Sequence, residues 1–273
     1  MVLRPTSLEL ERLDPYTFMA VLGKKVIRPG GIRATETLVR MAGLEAGHTV
    51  LDIGCGVGTT AIQLASRFGC RVTALDLDSL MIDYTEHNIR RAGLEDRITL
   101  RQGDIRTLPF ADDAFDVVTI EAVTMFTQSQ QDSVREAVRV CRPGGLIFDH
   151  EFVWVRQPPP DLRHVFDNLV CPGMSFETER EWRVLYQQAG QEQIRIVAVP
   201  FDLLTVKGMV RDEGVAGALE FIARSLSRWS YLKKMLWLGR RILKASPYLG
   251  SIVVASSKPL SRPLPPAGTA DRR

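Results

Sequence analysis

Between residues 48 and about 155, apolar runs of strand length alternate with amphipathic stretches, and this alternation constrains the fold more than any other feature. The runs are "HTVLDIG", "RVTALDLD", "RITLRQGD", "FDVVTIE" and "GGLIFDHEFVWV". Between them lie helical patterns. "GTTAIQLASRF" puts Ala61, Leu64, Ala65 and Phe68 on one face. "LMIDYTEHNIRRAG" follows a capping Asp78 or Ser79 and stops at Gly93, and "QDSVREAVRVC" precedes the fifth run. Strands apolar along their whole length are covered on both faces, as in a parallel sheet. Right-handed crossovers then make the sheet doubly wound, an α/β fold.

The flanks suggest appendages to this sheet. Residues 1–43 form an expected helical cap, interrupted by "RPGG" at 28–31, and residues 44–258 the main domain. "RQPPPD" is a stiff connector, "ETEREWRVLYQQAG" a helix, "EQIRIVAVPFDLL" a strand and "SIVVASSKP" the last strand. The insertion between those two strands, about 204–249, is far longer than a hairpin loop and is expected to be a helical substrate lid. The proline-rich residues 259–273 form an expected disordered tail.

A polar constellation gathers where ligands bind in such sheets, at the carboxyl ends of the strands. The first strand runs into Gly54, Gly56 and Gly58, a G-x-G-x-G spacing rather than the G-x-G-x-x-G of dinucleotide folds. Asp52 stands just ahead of the loop. Its charge disfavours a pyrophosphate and favours an ammonium or sulfonium ligand. Asp76 ends the second strand, where a carboxylate can accept both hydroxyls of a ribose. Asp104 follows the third strand with Ile105 beside it, an acceptor and a wall for an adenine. Glu121 ends the fourth. A dinucleotide-dependent oxidoreductase is the rival that the glycine spacing disfavours.

The segments "VLDIGCGVGTTAIQLA", "VTALDLD", "ITLRQGDIRTLPFADDAFDVVTIEAV" and "AVRVCRPGGLIF" together resemble the class I S-adenosylmethionine-dependent methyltransferases, over about residues 48–150. The resemblance implies a seven-stranded Rossmann-like sheet, mostly parallel, whose last strand is antiparallel. It implies that Asp52, Gly54, Gly56 and Gly58 surround the methionine part of S-adenosyl-L-methionine. Asp76, with Leu77 beside it, would take the ribose, Asp104 and Ile105 the adenine, and Glu121 the reacting end. The cap and insertion look like those of small-molecule enzymes of the sterol, tocopherol and quinone type.

The expected activity is methyl transfer to an oxygen, nitrogen or carbon nucleophile of a small, mostly apolar metabolite. Catalytic candidates are Glu121 and His150, with Glu151 nearby; His150 is either a base or a partly buried, hydrogen-bonded histidine. The acceptor pocket is expected between the N-terminal helices, including "RPGGIRATE", the end of the fifth strand and the late insertion; Tyr16 and Phe18 either close over it or serve as ordinary packing. No [DN]-P-P-[FY] motif follows the fourth strand, where "IEAV" stands, and no Pro-Cys pair occurs, which demotes nucleic-acid and protein-glutamine acceptors. A thiol or metalloid methyltransferase using Cys171, and a non-catalytic nucleoside-binding protein, are the alternatives.

The four cysteines, at 55, 70, 141 and 171, lack zinc-type spacing; no metal is expected, and reduced thiols fit a cytoplasmic protein. A formal net charge of +3 does not argue for nucleic acid. Charge is uneven, however. Residues 201–258 carry ten Lys and Arg against four Asp and Glu. In "RWSYLKKMLWLGRRILKA", residues 228–245, Lys233, Lys234, Arg240, Arg241 and Lys244 share one arc, with Trp237 among them. That arc is either a solvated face or an interfacial helix meeting anionic lipid, anchored by Trp237.

Overall fold

The computed structural model describes residues 10, 13–170, 173–202 and 205–260. Cys171 and residues 261–273 of the expected tail lie outside these. The chain runs α1 (Pro15–Val21), α2 (Ile32–Ala42), β1 (Thr49–Ile53), α3 (Thr59–Phe68), β2 (Arg71–Asp76), α4 (Ser79–Ala92), β3 (Ile98–Gln102), β4 (Phe115–Glu121), α5 (Gln130–Val140), β5 (Cys141–Trp154), α6 (Pro160–Val165), α7 (Glu179–Gln188), β6 (Arg195–Val199), α8 (Val206–Leu226), α9 (Trp229–Ala245) and β7 (Leu249–Ser257). The strands form one sheet in the order β3-β2-β1-β4-β5-β7-β6. β1 is parallel to β2 and β4, and β5 continues parallel to β4. β7 runs antiparallel to both β5 and β6, as the resemblance implies.

The two-residue alternation of β1 shows how the sheet is covered. Val50 enters a core with Ala34, Leu38, Ala61, Leu64, Phe148 and Val253, while Leu51 and Ile53 enter the opposite core with Val118, Ile120, Trp182 and Tyr186. Each such fully buried aliphatic contributes about 1.5–3 kcal/mol. α2 is part of that first cover: Ala34, Leu38 and Ala42 pack with Phe148 of β5 and Val253 of β7. The cap's second helix is therefore built into the sheet packing, and only the strap of residues 14–31 stands over the sheet edge.

Differences from the sequence reading cluster in the irregular segments. The proline connector turns into α6, which periodicity did not reveal because it is a short helix started by Pro160. β5 starts at Cys141, ahead of the expected glycine pair, and a register irregularity opposite Phe115 and Val117 accommodates the extra residues. The insertion is a pair of helices. Gly214, at φ +72 and ψ 170, breaks α8 into two pieces, and the later one packs Ala218 and Phe221 onto Phe18 and Leu22 of the strap. Phe18 is thus buried under the insertion rather than closing over a pocket.

Candidate active site

The carboxyl ends of β1, β2 and β4, with the turn after β3, open into a cleft of about 590 Å³. Among the expected residues, Asp52, Gly54, Gly56, Asp76, Leu77, Asp104, Ile105 and Glu121 all line it. Gly58 does not: it starts α3 at φ +82, and a Cβ there would press on Thr85. His150 does not line it either.

The glycine loop is pinned to β2. Gly54 N and Cys55 N donate to Leu75 O at 2.7 and 3.0 Å, and Gly56 N donates to Asp76 Oδ2 at 2.8 Å. Gly54 has φ +69, and a Cβ there would lie 2.0 Å from Val123 Cγ2. Gly56 has φ +55 but faces open space, with nothing within 4 Å of an added Cβ. The first glycine lets β1 pass the loop after β4; the second keeps a side chain out of the cleft.

The carboxylates differ in their surroundings. Asp76 also accepts from Asp78 N at 3.0 Å, and burial raises its pKa. Asp104 accepts from Arg106 Nη2 at 2.6 Å and from Arg106 N at 2.9 Å, and this guanidinium holds its carboxyl below the usual range. Asp52 is buried. The parallel pairing of β1 with β4 sets it opposite Thr119, whose hydroxyl donates to Oδ1 at 3.0 Å. Its Oδ2 has no hydrogen-bond partner among the described residues, and burial together with nearby Glu121 pushes its carboxyl up to about 7.

Glu121 sits in a buried polar knot. Arg28 Nε lies 3.0 Å from its Oε2, Thr60 Oγ1 donates to the same oxygen at 2.8 Å, and Thr35 Oγ1 donates to Oε1 at 3.0 Å. Arg28 also donates to Thr35 Oγ1 and, at 3.2 Å, to Gly31 O. The segment "RPGGIRATE" was expected beside the acceptor pocket, but Arg28 and Thr35 within it were not singled out, and Thr60 was not expected at all. The available signal was indirect: a carboxylate ending a central strand needs a cation, but no local spacing identifies one so distant in the chain.

His150 is a Cα neighbour of Glu121 in the β4–β5 pairing, yet its ring is buried and packs against Gly30, where an added Cβ would meet Nε2 at 3.1 Å. Neither ring nitrogen has a hydrogen-bond partner among the described residues. Burial, with Arg28 adding to it, brings its pKa down to about 3. The imidazole is therefore neutral and screened from the cleft, and the structure does not bring the two catalytic candidates together within it. On the other face of β5, Glu151 Oε1 accepts from Val123 N and Thr124 N at 2.8 and 2.7 Å, shaping the loop that holds Ala122 at φ +60. Asp149 beside it accepts from Thr124 Oγ1 and Tyr186 OH at 2.9 and 3.0 Å. Burial raises both carboxyls, Asp149 to about 7 and Glu151 well above its usual range, with Asp149 adding to the second shift.

The cleft mouth is made by the strap and the loop after β4. Tyr16 and Phe126 meet edge to face with centroids 5.1 Å apart, and Thr17, Ile27 and Gln128 complete the rim. No residue of the described part of the insertion lines the cleft. It holds the strap from behind instead: Glu213 Oε1 accepts from Lys25 N and Val26 N at 3.0 Å each, and Asp212 Oδ1 from Ile32 N at 3.2 Å.

Residues 50–145, which carry the loop and the carboxylate-bearing strand ends, match the family model described as "Methyltransferase domain". An uncharacterized protein of Haemophilus influenzae is 32% identical over 77% of this chain and 85% of its own length. Methyltransferase GfsG of Streptomyces halstedii is 37% identical over 62% of each chain, so the chain spans less than two thirds of that relative. Among solved structures, an S-adenosylmethionine-dependent methyltransferase from Geobacter sulfurreducens in complex with S-adenosyl-L-homocysteine superposes with a TM-score of 0.69. That match covers 90% of this chain and 99% of that one at 23% identity, a likeness of fold. The strand order, the ligand-sized cleft at the glycine loop and these relatives agree: the chain belongs to the class I S-adenosylmethionine-dependent methyltransferases.

Proposed function

We propose that the chain methylates an oxygen, nitrogen or carbon nucleophile of a small, mostly apolar metabolite. The observation that carries this is the continuity of one cleft, from Asp76 and Asp104 past Glu121 to a rim of Tyr16, Ile27 and Phe126. S-adenosyl-L-methionine supplies the electrophilic methyl when bound. The residues present fit it. Gly56 leaves room for a ligand, and Asp76 offers acceptors for ribose hydroxyls at the edge of the loop, with Leu77 beside it. Ile105 offers an apolar wall and Asp104 an acceptor for an adenine amine. Asp52 has a free buried oxygen suited to a cationic head, and Arg28 lines the same wall with the opposite charge for a carboxylate.

The chain's main contribution is then alignment. Rigid walls that hold the acceptor's nucleophile in line with the methyl donor lower the barrier by several kcal/mol. Glu121 acts as a positioning residue, since Arg28, Thr35 and Thr60 engage both its oxygens. His150, neutral and behind Gly30, supports the wall rather than moving a proton. An acceptor that loses its proton late, or to solvent, suits this arrangement.

The test is accumulation of S-adenosylhomocysteine when the protein meets S-adenosylmethionine and solvent-partitioned metabolite fractions. Turnover confined to an apolar fraction is expected. Cofactor binding without turnover in any fraction would favour the non-catalytic nucleoside-binding protein. Turnover of thiols abolished by Cys171→Ala would favour the thiol reading.

A further inference from the structure

The outward face of α9 is apolar and cationic at once. Tyr231, Leu238 and Ala245 form its buried line. The opposite side therefore carries Trp229, Leu236 and Leu243, which are 76%, 50% and 74% exposed. Lys233, Arg240 and Lys244 are exposed on that same side, and none has an ion-pair partner among the described residues. The helix contains no Asp or Glu. This corrects the expected division of faces. Trp237 is no outward anchor, because Arg241 stacks over its ring at 3.9 Å. Lys234 is turned inward and donates to Leu10 O and Leu13 O at 2.6 Å each. Trp229 takes the exposed place instead.

The preceding helix presents a second row. Beyond the kink at Gly214, Val215, Leu219, Ile222 and Leu226 recur at helical spacing and are all more than half exposed. Across residues 205–245, nine Lys and Arg stand against three Asp and Glu. Exposed apolar side chains repeated along a helix face mark a partner, and the cations that share the face of α9 select an anionic one.

We propose that the α8–α9 hairpin seats on an anionic lipid surface. Trp229, Leu236, Leu243 and the α8 row enter the headgroup boundary, and Lys233, Arg240 and Lys244 reach the lipid phosphates. A second copy of the chain suits this face less well, because two-fold pairing would bring the same unpaired cations against one another.

The test is co-sedimentation of the full chain with phosphatidylcholine vesicles, with and without phosphatidylserine. Pelleting is expected with the anionic vesicles alone and should weaken as salt rises. The triple change K233E/R240E/K244E should lower partitioning by at least about tenfold. Trp229→Ser, on a largely exposed side chain, should weaken pelleting without lowering the melting temperature. In the unmodified protein, brominated lipid should quench indole fluorescence, and Trp229→Phe should remove that component. Absence of pelleting, or pelleting indifferent to both variants, would overturn the proposal. So would a concentration-dependent dimer that Trp229→Ser dissolves, which would give this face to a second copy.

Discussion

Arg28 and Glu121 form a buried ion pair, 3.0 Å from Nε to Oε2, that ties the N-terminal strap to the end of the fourth strand. One partner comes from the strap and the other from a central strand, and both line the cleft. Breaking one side leaves a buried charge uncompensated. Arg28→Met should destabilise the fold by about 3–5 kcal/mol, measured by urea unfolding, and the double change with Glu121→Leu should recover much of that loss. A loss below 1 kcal/mol, about the worth of a surface pair, would show that the pair is solvated.

Gly54 and Gly56 should respond differently to alanine. Both have positive φ, which costs on the order of 1–3 kcal/mol in a non-glycine residue. At Gly54 the methyl also strikes Val123, so Gly54→Ala should lower the melting temperature sharply. At Gly56 it projects into the cleft, so Gly56→Ala should weaken S-adenosylhomocysteine binding more than it lowers stability. Calorimetric titration beside a thermal melt separates the two.

Asp52 should make cofactor binding pH-dependent. Its carboxyl is raised to about 7, and a cationic ligand at its free oxygen favours the ionised form. Affinity for S-adenosylmethionine should therefore rise by roughly tenfold from about pH 6 to about pH 8 as that carboxyl ionises. Asp52→Asn should flatten the profile. An unmodified protein whose affinity is level across this window would remove Asp52 from the ligand's charged head.

Asp149 and Glu151 carry a stability signature of opposite sign to that of a surface ion pair. Both are raised by burial, so the folded state keeps protons that the unfolded chain has released. The contribution of Asp149 is full below the usual carboxylate range and is lost as pH rises through about 7, and that of Glu151 falls in the same direction. Urea midpoints should fall across that interval, and Asp149→Asn should reduce the fall.

The doubly wound sheet was legible because long, continuously apolar strands announce a two-sided cover, and β1 to β5 lie where their apolar runs stand. The cleft-lining carboxylates were legible for a related reason: Asp52, Asp76, Asp104 and Glu121 sit at or just beyond strand ends, where the topology itself brings them together. The segment "RPGGIRATE" was expected beside the pocket, but the pairing of Arg28 and Thr35 with Glu121 was not legible. Arg28 reaches the site through a strap whose path depends on tertiary contacts such as Glu213 with Lys25 and Val26, and Thr35 through the packing of α2 on the sheet. The setting of His150 was not legible for a different reason. Its strand position is next to Glu121, but the closeness of Gly30 and the burial of its ring are properties of packing, which periodicity does not reveal.

The central claim is that this cleft holds a nucleoside through Asp76. Calorimetric titration of Asp76→Ala with S-adenosylhomocysteine tests it most directly, with an unchanged far-ultraviolet spectrum as the folding control. Two charge-assisted hydrogen bonds are worth about 1.5–3 kcal/mol each, so affinity should fall at least tenfold, with Asp76→Asn in between. Unchanged affinity in Asp76→Ala would contradict the assignment.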